Sequence, residues 1–398
     1  MRVTINKSLL AIAVSSVLVA PIANATNGYF AHGYSTKEKG LAGAGTAYSQ
    51  DAMAAATNPA GMAFVGARMD IGAALFSPSD RGYTVTGDPP YAGGSGVNVI
   101  VPPGVCNPFF TPSGACAPPF SVDTGSATSD NDWFVIPHFA YNWQLSSDTT
   151  AGISIYGNGG MNTEYQASGS SATLPDSSDP DLPLPIESLP GVYGDGTAGV
   201  NLEQLFFNVS FSKKLDSKSA VGASVIVAAQ RFAAQGLSNF GQFSLDPENL
   251  TSNKASSSFG AGVKVGYQGE LDSGLRVGVS YQSKISMSEF DDYAGLFAEG
   301  GDFDIPSTYN IGIAYDVGNS GVVIADIQRI NFSDVASLSN PISRLTDGSC
   351  SDALNLTLAA GGVPTPAAGA GCLGGANGAG FGWDDITIIK VGYQFESG

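Results

Sequence analysis

The chain has 398 residues, with 35 acidic and 17 basic side chains, a formal net charge of −18, 13% charged residues and 52 glycines. Charge is about half, and glycine nearly double, what a soluble globular domain carries, which argues against an ordinary cytosolic enzyme; 21 Phe, 15 Tyr and 3 Trp argue against disorder. The acidic balance, with no Lys/Arg cluster, excludes nucleic acid as a partner, because phosphates demand grouped cations.

At the N-terminus, Arg2 and Lys7 precede an apolar run from Ser8 to Ala20 and the small residues Ala23-Asn24-Ala25. Those parts in that order make residues 1–25 a secretory signal peptide cut after Ala25. The apolar run is shorter than the ~20 residues of a spanning helix, and no later run is long enough either. An exported chain that resides in a membrane must then cross it as a closed β-barrel.

Residues 26–66 do not alternate. Gly40-Leu41-Ala42-Gly43-Ala44-Gly45 supplies small, closely packing residues, and residues 51–61 read as a short helix with a stop marked by Asn58, Pro59 and Gly61. About 40 residues without a face to bury cannot stand alone, so this segment is expected to be a hatch filling a barrel lumen. The glycines lack the spacing and the preceding strand of a phosphate loop, and no cofactor is expected.

From residue 67 onward the dominant period is two. In Ser258 to Gln268, Phe259, Ala261, Val263, Val265 and Tyr267 alternate with Gly260, Gly262, Lys264, Gly266 and Gln268. The same pattern recurs near 67–76, 132–143, 149–160, 201–212, 219–232, 275–282, 309–316, 321–332 and 384–395, giving ten candidate strands of roughly the 9–11 residues that cross a bilayer at a tilt. Short links at 144–150, 213–219, 270–274 and 316–321 interleave with long ones at 77–131, 166–199, 236–253, 288–304 and 333–382. Short turns on one rim and long loops on the other mark an outer-membrane barrel rather than a sandwich. The expected fold is therefore an all-β transmembrane antiparallel barrel over residues 67–398.

The four cysteines fall as two local pairs in Gly/Pro-rich loops, Cys106 with Cys116 and Cys350 with Cys372, read as two disulfides of an exported protein. With two histidines and no C-x-x-C spacing, no metal site is expected.

Alternation assigns side chains to faces. The lumen receives Phe76, Phe134, Ile136, Phe206 and Ile226 as apolar lining and Arg68, Lys264, Arg276, Lys284 and Lys390 as cations, with Arg231 near the long-loop rim at ambiguous parity. A ligand with an apolar tail and a carboxylate would want such a set, an apolar cavity with one directed cation; ion pairing inside a polar lumen is the structural alternative for each cation. Gly157, Gly159 and Gly160 interrupt the third candidate strand, and glycines there mark a bulge, an opened ladder or an ordinary Gly-rich strand end; β-branched side chains would be expected to close such an opening.

Asn27-Gly28-Tyr29-Phe30-Ala31-His32-Gly33-Tyr34, Lys39-Gly40-Leu41-Ala42-Gly43-Ala44-Gly45 and Ala55-Ala56-Thr57-Asn58-Pro59-Ala60-Gly61-Met62, in that order, resemble the start of the FadL family of outer-membrane transporters of long-chain fatty acids and hydrocarbons. Tyr156-Gly157-Asn158-Gly159-Gly160-Met161-Asn162-Thr163 and the closing Gly382-Trp383-Asp384-Asp385 with Lys390-Val391-Gly392-Tyr393 are similar to that family as well. The resemblance implies a monomeric fourteen-stranded barrel in the outer membrane of a Gram-negative bacterium, plugged by its hatch. It also implies that long-chain fatty acids or other hydrophobic small molecules are caught by the extracellular loops, bound inside, and released sideways into outer-membrane lipid beside a kinked third strand, without catalysis, which favours Gly157, Gly159 and Gly160 as the lateral gate. Ten strands rather than fourteen, and an end at Phe395-Glu396-Ser397-Gly398, make the expectation a barrel lacking its C-terminal strands.

Two other classes compete. A lipid enzyme would need a nucleophile and base in order, and neither histidine lies near a G-x-S-x-G. A general porin would leave its lumen open instead of plugging it.

Overall fold

The computed structural model describes residues 27–78, 81–86, 98–99, 120–122, 125–130, 133–166, 171–175, 186–272, 274–318, 321–345, 349–350 and 370–395. The leader and the Cys106–Cys116 pair lie outside the described residues.

Ten long antiparallel strands follow one another in chain order in the main sheet: β1 (Arg68–Phe76), β2 (Phe134–Gln144), β3 (Thr149–Tyr165), β4 (Ala198–Lys214), β5 (Ser219–Gln235), β6 (Ser256–Asp272), β7 (Leu275–Gln282), β8 (Thr308–Val317), β9 (Gly321–Ile330) and β10 (Ile386–Phe395). An eleventh, two-residue strand at Ser286–Met287 pairs with β6. β1 and β10 are the two ends of this path. Four strands have 17 residues, roughly 56 Å at ~3.3 Å per residue, and on β3 and β5 the excess over the alternating core lies toward the long-loop side.

Each strand divides its side chains between two faces. On β4, Leu205, Phe207, Val209 and Phe211 are exposed while Leu202, Gln204, Phe206, Asn208, Ser210 and Ser212 are buried. On β6, β8 and β10 the exposed set includes Phe259, Val263, Val265, Tyr309, Ile311, Ile313, Ile389 and Tyr393. A soluble protein seldom exposes apolar side chains this continuously. No helix among the described residues is long and apolar enough to cross a membrane.

Residues 27–66 lie on the inner face and touch nine strands by name. Backbone N–H groups of Ala52, Gly45 and Thr46 donate to Asp70 on β1 and Asp326 on β9. Ala31 N–H donates to the Asn158 carbonyl on β3, and the hatch carbonyls of Ala60, Ala56, Thr57 and Gly43 accept from Ser212 on β4, Lys264 on β6, Ser280 on β7 and Lys390 on β10. On β5 and β8, Gly222 and Gly312 leave no room for a Cβ against Pro59 and Thr46. A sheet that meets one compact segment with nine of its ten long strands is wrapped around it.

The long connections between β5 and β6, β7 and β8, and β9 and β10 bond to one another as a cap over one end. Leu373 N–H donates to the Phe243 carbonyl at 2.9 Å, Glu299 N–H to Gly375 at 2.8 Å, and Ser244 Oγ–H to Gly295 at 2.7 Å. Cys350 and Cys372 form a disulfide across 22 residues of this cap, buried with Phe243, Leu250 and Leu373. Closing a loop of that length restricts the unfolded chain by about 3 kcal/mol. A Cys350→Ala, Cys372→Ala variant is expected to lose about that much cap stability, read as an earlier proteolytic nick in the β9–β10 connection while the strands stay protected; unchanged cleavage would refute it.

Candidate functional site

The hatch is pinned from its own sequence. Asn58 is buried, accepts from Ala60 N–H at 3.2 Å and donates to the Thr46 and Tyr267 carbonyls at 2.8 and 2.9 Å. Pro59 starts a short turn, and a Cβ on Gly61 would lie 1.8 Å from Ser49 Oγ. Asn58, Pro59 and Gly61 therefore lock the hatch to itself and to β6.

Above the hatch lies a polar floor. Tyr34, Ala56, Lys264, Asn310, Gln328 and Lys390 line a small pocket there. Both lysines are buried, and each gives one bond to a hatch carbonyl, Lys264 to Ala56 and Lys390 to Gly43 at 3.2 Å. An ammonium carries three donors, so one carbonyl does not exhaust it. Gln282 Nε2 and Gln328 Oε1, on the same inner layer, are buried without a partner among the described residues. Unsatisfied buried polar groups are costly until something pairs with them.

Over the floor, the β7–β8 connection folds inward as an aromatic roof. Phe297 meets Phe232 and Phe303 at ring distances of 4.7 Å each, Phe232 meets Tyr293 at 4.8 Å, and Phe303 lies 6.2 Å from Tyr29 of the hatch. Phe332 and Trp383 close the far side at 5.1 Å. Phe206 and Ile226 belong to the same buried cluster. An apolar roof on a cationic floor has the amphiphilic chemistry of a carboxylate with a hydrophobic tail.

The wall is interrupted beside this roof and floor. β2 and β3 pair from Gln144↔Thr150 to His138↔Tyr156, and among the described residues no ladder pair joins them beyond that point. Pro137, next on β2, has no N–H to donate. On the other side, β3 and β4 slip register between Gln204↔Gly159 and Leu205↔Gly157, so Asn158 is the extra residue of a bulge. A bulge inverts strand parity: Tyr156 and Asn158 face inward before it, Met161 packs inward after it. Farther along, Asp130 N–H donates to the Glu164 carbonyl at 3.0 Å, so the interruption is a bounded window. Phe134 and Ile136 stand on its β2 edge, with Ile136 Cγ2 2.8 Å from where a Gly157 Cβ would be. Phe76 sits beside Phe134 at 6.4 Å, half exposed. These three therefore border the window and not the roof.

The hatch closes the window from inside. Phe30 forms an antiparallel bridge with Gly159, Ala31 N–H donates to Asn158 at 2.8 Å and Gly160 N–H to Tyr29 at 2.9 Å. A Cβ on Gly159 would lie 1.8 Å from the Tyr29 carbonyl oxygen, and one on Gly160 would lie 2.4 Å from that of Leu202. Gly159 is glycine because the hatch backbone presses on it. Valine there would push the hatch away; the expectation that it closes the opening is corrected.

Of the remaining cations, Arg231 leaves the lumen and the other three are ion-paired, the alternative that the sequence left open. Lys284 follows the end of β7 and pairs with Asp304 at 2.7 Å, so it is not a free cation for ligand. Arg231 points outward and is exposed, which removes it from the lumen. Arg68 pairs with Asp70, and Arg276 with Asp316 over the Tyr48 ring. The signal for the roof was available in sequence as Phe290, Tyr293, Phe297 and Phe303 within one connection, but not its inward fold.

Asp302, in the same connection, is held up at about 6 by burial first and then by Asp304 and Glu299, with Lys284 opposing. An acid raised by folding contributes against the folded cap once ionised, so cap stability falls as pH rises from about 4 through about 6. Asp302→Asn is expected to flatten that decline and raise the melting temperature at pH 7.5 relative to the parent, by calorimetry. A parent without a decline between pH 5 and 7 would contradict it.

No protein-family model matches the chain and no curated relative does. Among solved structures, it is similar to the toluene transporter TodX of Pseudomonas putida at 19% identity and TM-score 0.48, covering 77% of this chain and 72% of that one. It is also similar to the toluene transporter TbuX of Ralstonia pickettii, at 17%, TM-score 0.46 and coverage of 77% and 73%. A third is a FadL homologue of Pseudomonas aeruginosa, at 16%, TM-score 0.44 and coverage of 77% and 70%.

Proposed function

We propose that this chain is a passive outer-membrane transporter of the FadL type. It takes up hydrophobic small molecules through the cap, holds them between the aromatic roof and the lysine floor, and releases them sideways through the window in β3. The exposed apolar outer face supports residence in lipid, the motif order of residues 27–62 supports the family, and the hatch supports a plugged transporter over a porin.

The observation that carries the ligand reading is the pair of buried ammonium groups, Lys264 and Lys390, under an apolar cluster. A long-chain fatty acid places its carboxylate on the floor and its tail among Phe232, Phe297 and Phe303, displacing rings as it enters. A neutral hydrocarbon is favoured by one fact, that each lysine already meets a hatch carbonyl. Trp383 lies in the cluster while Trp133 and Trp143 are exposed on the wall, so interior binding changes the emission of one tryptophan. Titrating the reconstituted protein with oleate and with methyl oleate decides between the two: oleate binding more tightly supports the carboxylate reading, equal affinity supports the hydrocarbon, and no Trp383 response to either refutes an interior site.

A further inference from the structure

Four hydrogen bonds run head to tail along the inner wall, from the hatch across β3, β4 and β5 to the β7–β8 connection. The Tyr34 hydroxyl donates to Asn158 Oδ1 at 3.2 Å, Asn158 Nδ2 to Gln204 Oε1 at 2.9 Å, Gln204 Nε2 to Gln230 Oε1 at 2.8 Å, and Gln230 Nε2 to the Phe303 carbonyl at 2.7 Å. All three amides are buried, with exposures of 0%, 4% and 3% in chain order. They interrupt inward rows that are otherwise apolar there, Leu202 and Phe206 on β4, Ala228 and Phe232 on β5.

The polarity of this ladder is set from one end. A backbone carbonyl only accepts, so Phe303 fixes which way the Gln230 amide faces; Gln230 then fixes Gln204, and Gln204 fixes Asn158. Turning one amide over would bring two acceptors or two donors face to face in a low-dielectric interior, so the bonds stand or fall together. The two ends are the two places a ligand must pass. Phe303 is a roof ring, packed at a tilt against Phe297 and near Tyr29; Asn158 is the bulge residue whose carbonyl holds the hatch at Ala31.

We propose that Gln204 and Gln230 are positioning residues of transport. Through them, displacement of the Phe303 segment by a ligand in the roof reorients Asn158 and loosens Tyr29–Ala31 from the window, so that the exit yields when a ligand lies among the roof rings. The inference rests on the transporter reading above.

The test is hydrogen exchange of the full chain in nanodiscs, followed at the Ala31 and Gly160 amides, with and without saturating oleate, in the parent, Gln230→Leu and Gln204→Leu. Trp383 emission measures binding in the same samples, and heat-modifiable gel mobility checks folding. In the parent, oleate is expected to speed exchange at both amides at least fivefold; in either leucine variant, exchange should no longer respond to oleate, while oleate affinity stays within about threefold. Parent-like acceleration by oleate in a folded leucine variant overturns the proposal, as does a parent that binds oleate without any change at these amides. A parent that binds neither oleate nor methyl oleate overturns the transporter reading instead. If one variant does not fold, the other carries the same test, since each breaks the ladder at a different rung.

Discussion

Replacing Gly159 with valine is expected to open the protein to small solutes and to speed ligand release. The valine Cβ would occupy space 1.8 Å from the Tyr29 carbonyl oxygen and 3.0 Å from Phe30 Cα, and backbone atoms cannot give way as a flexible side chain can. The bonds from Ala31 to Asn158 and from Gly160 to Tyr29 are lost together, about 1–3 kcal/mol at ~0.5–1.5 each. Each ~1.4 kcal/mol multiplies the open population about tenfold, so planar-bilayer conductance should rise roughly five- to 150-fold. Gly157→Ala is the control: its Cβ meets only the Ile136 side-chain methyl and, at longer range, the Gln204 carbonyl, and it should leave conductance within about twofold. A folded Gly159→Val variant that stays as tight as the parent would show that the hatch does not seal this window.

The second large effect belongs to the floor. Lys264→Met and Lys390→Met keep most of the side-chain volume and remove the charge. If a ligand carboxylate takes a charge-assisted hydrogen bond from either ammonium, each substitution weakens oleate binding by about 1.5–3 kcal/mol, roughly ten- to 150-fold, and leaves methyl oleate nearly unchanged. Each lysine also holds a hatch carbonyl, so loosening of the hatch is the competing explanation. It would alter acid and ester together, and the acid–ester difference in Trp383 titrations separates the two. Lys284→Met, by contrast, strands Asp304 without touching the floor, and should leave the acid–ester difference intact.

The strands were legible because a lumen packed with backbone forces a stark rule on each one. Where Thr46, Ala47, Asn58 and Pro59 press on the wall, the inward residue must be small, hence Gly222, Gly266, Gly278 and Gly312, and their apolar neighbours then face out. The same rule put Lys264 and Lys390 on the correct face. It could not name their partners, which are hatch carbonyls brought near only by folding. Lys284 misled because alternation continued through Ser283 and Lys284, past the end of β7, while its partner Asp304 comes from 20 positions later in an irregular connection. Gly157, Gly159 and Gly160 announced a disturbed strand, but glycine tolerates both an empty gap and a close approach. Only the position of Tyr29 tells which. Gln204 and Gln230 were visible as polar residues in apolar rows, and their role needed the Phe303 carbonyl, which no local pattern announces.

Photo-labelling with two diazirine fatty acids tests most directly whether ligand travels through the interior. One carries the diazirine at the tail end and the other near the carboxyl, and each is irradiated with the full chain in nanodiscs before peptide mapping. The account predicts that the tail probe labels Phe232 and the 290–303 segment, that the carboxyl-proximal probe labels the floor around Tyr34 and Thr308, and that excess oleate competes both away. Labelling confined to the outer face, at positions such as Phe259, Ile311 and Ile389, and indifferent to oleate would contradict it, leaving a barrel that meets fatty acids only as the lipid around it.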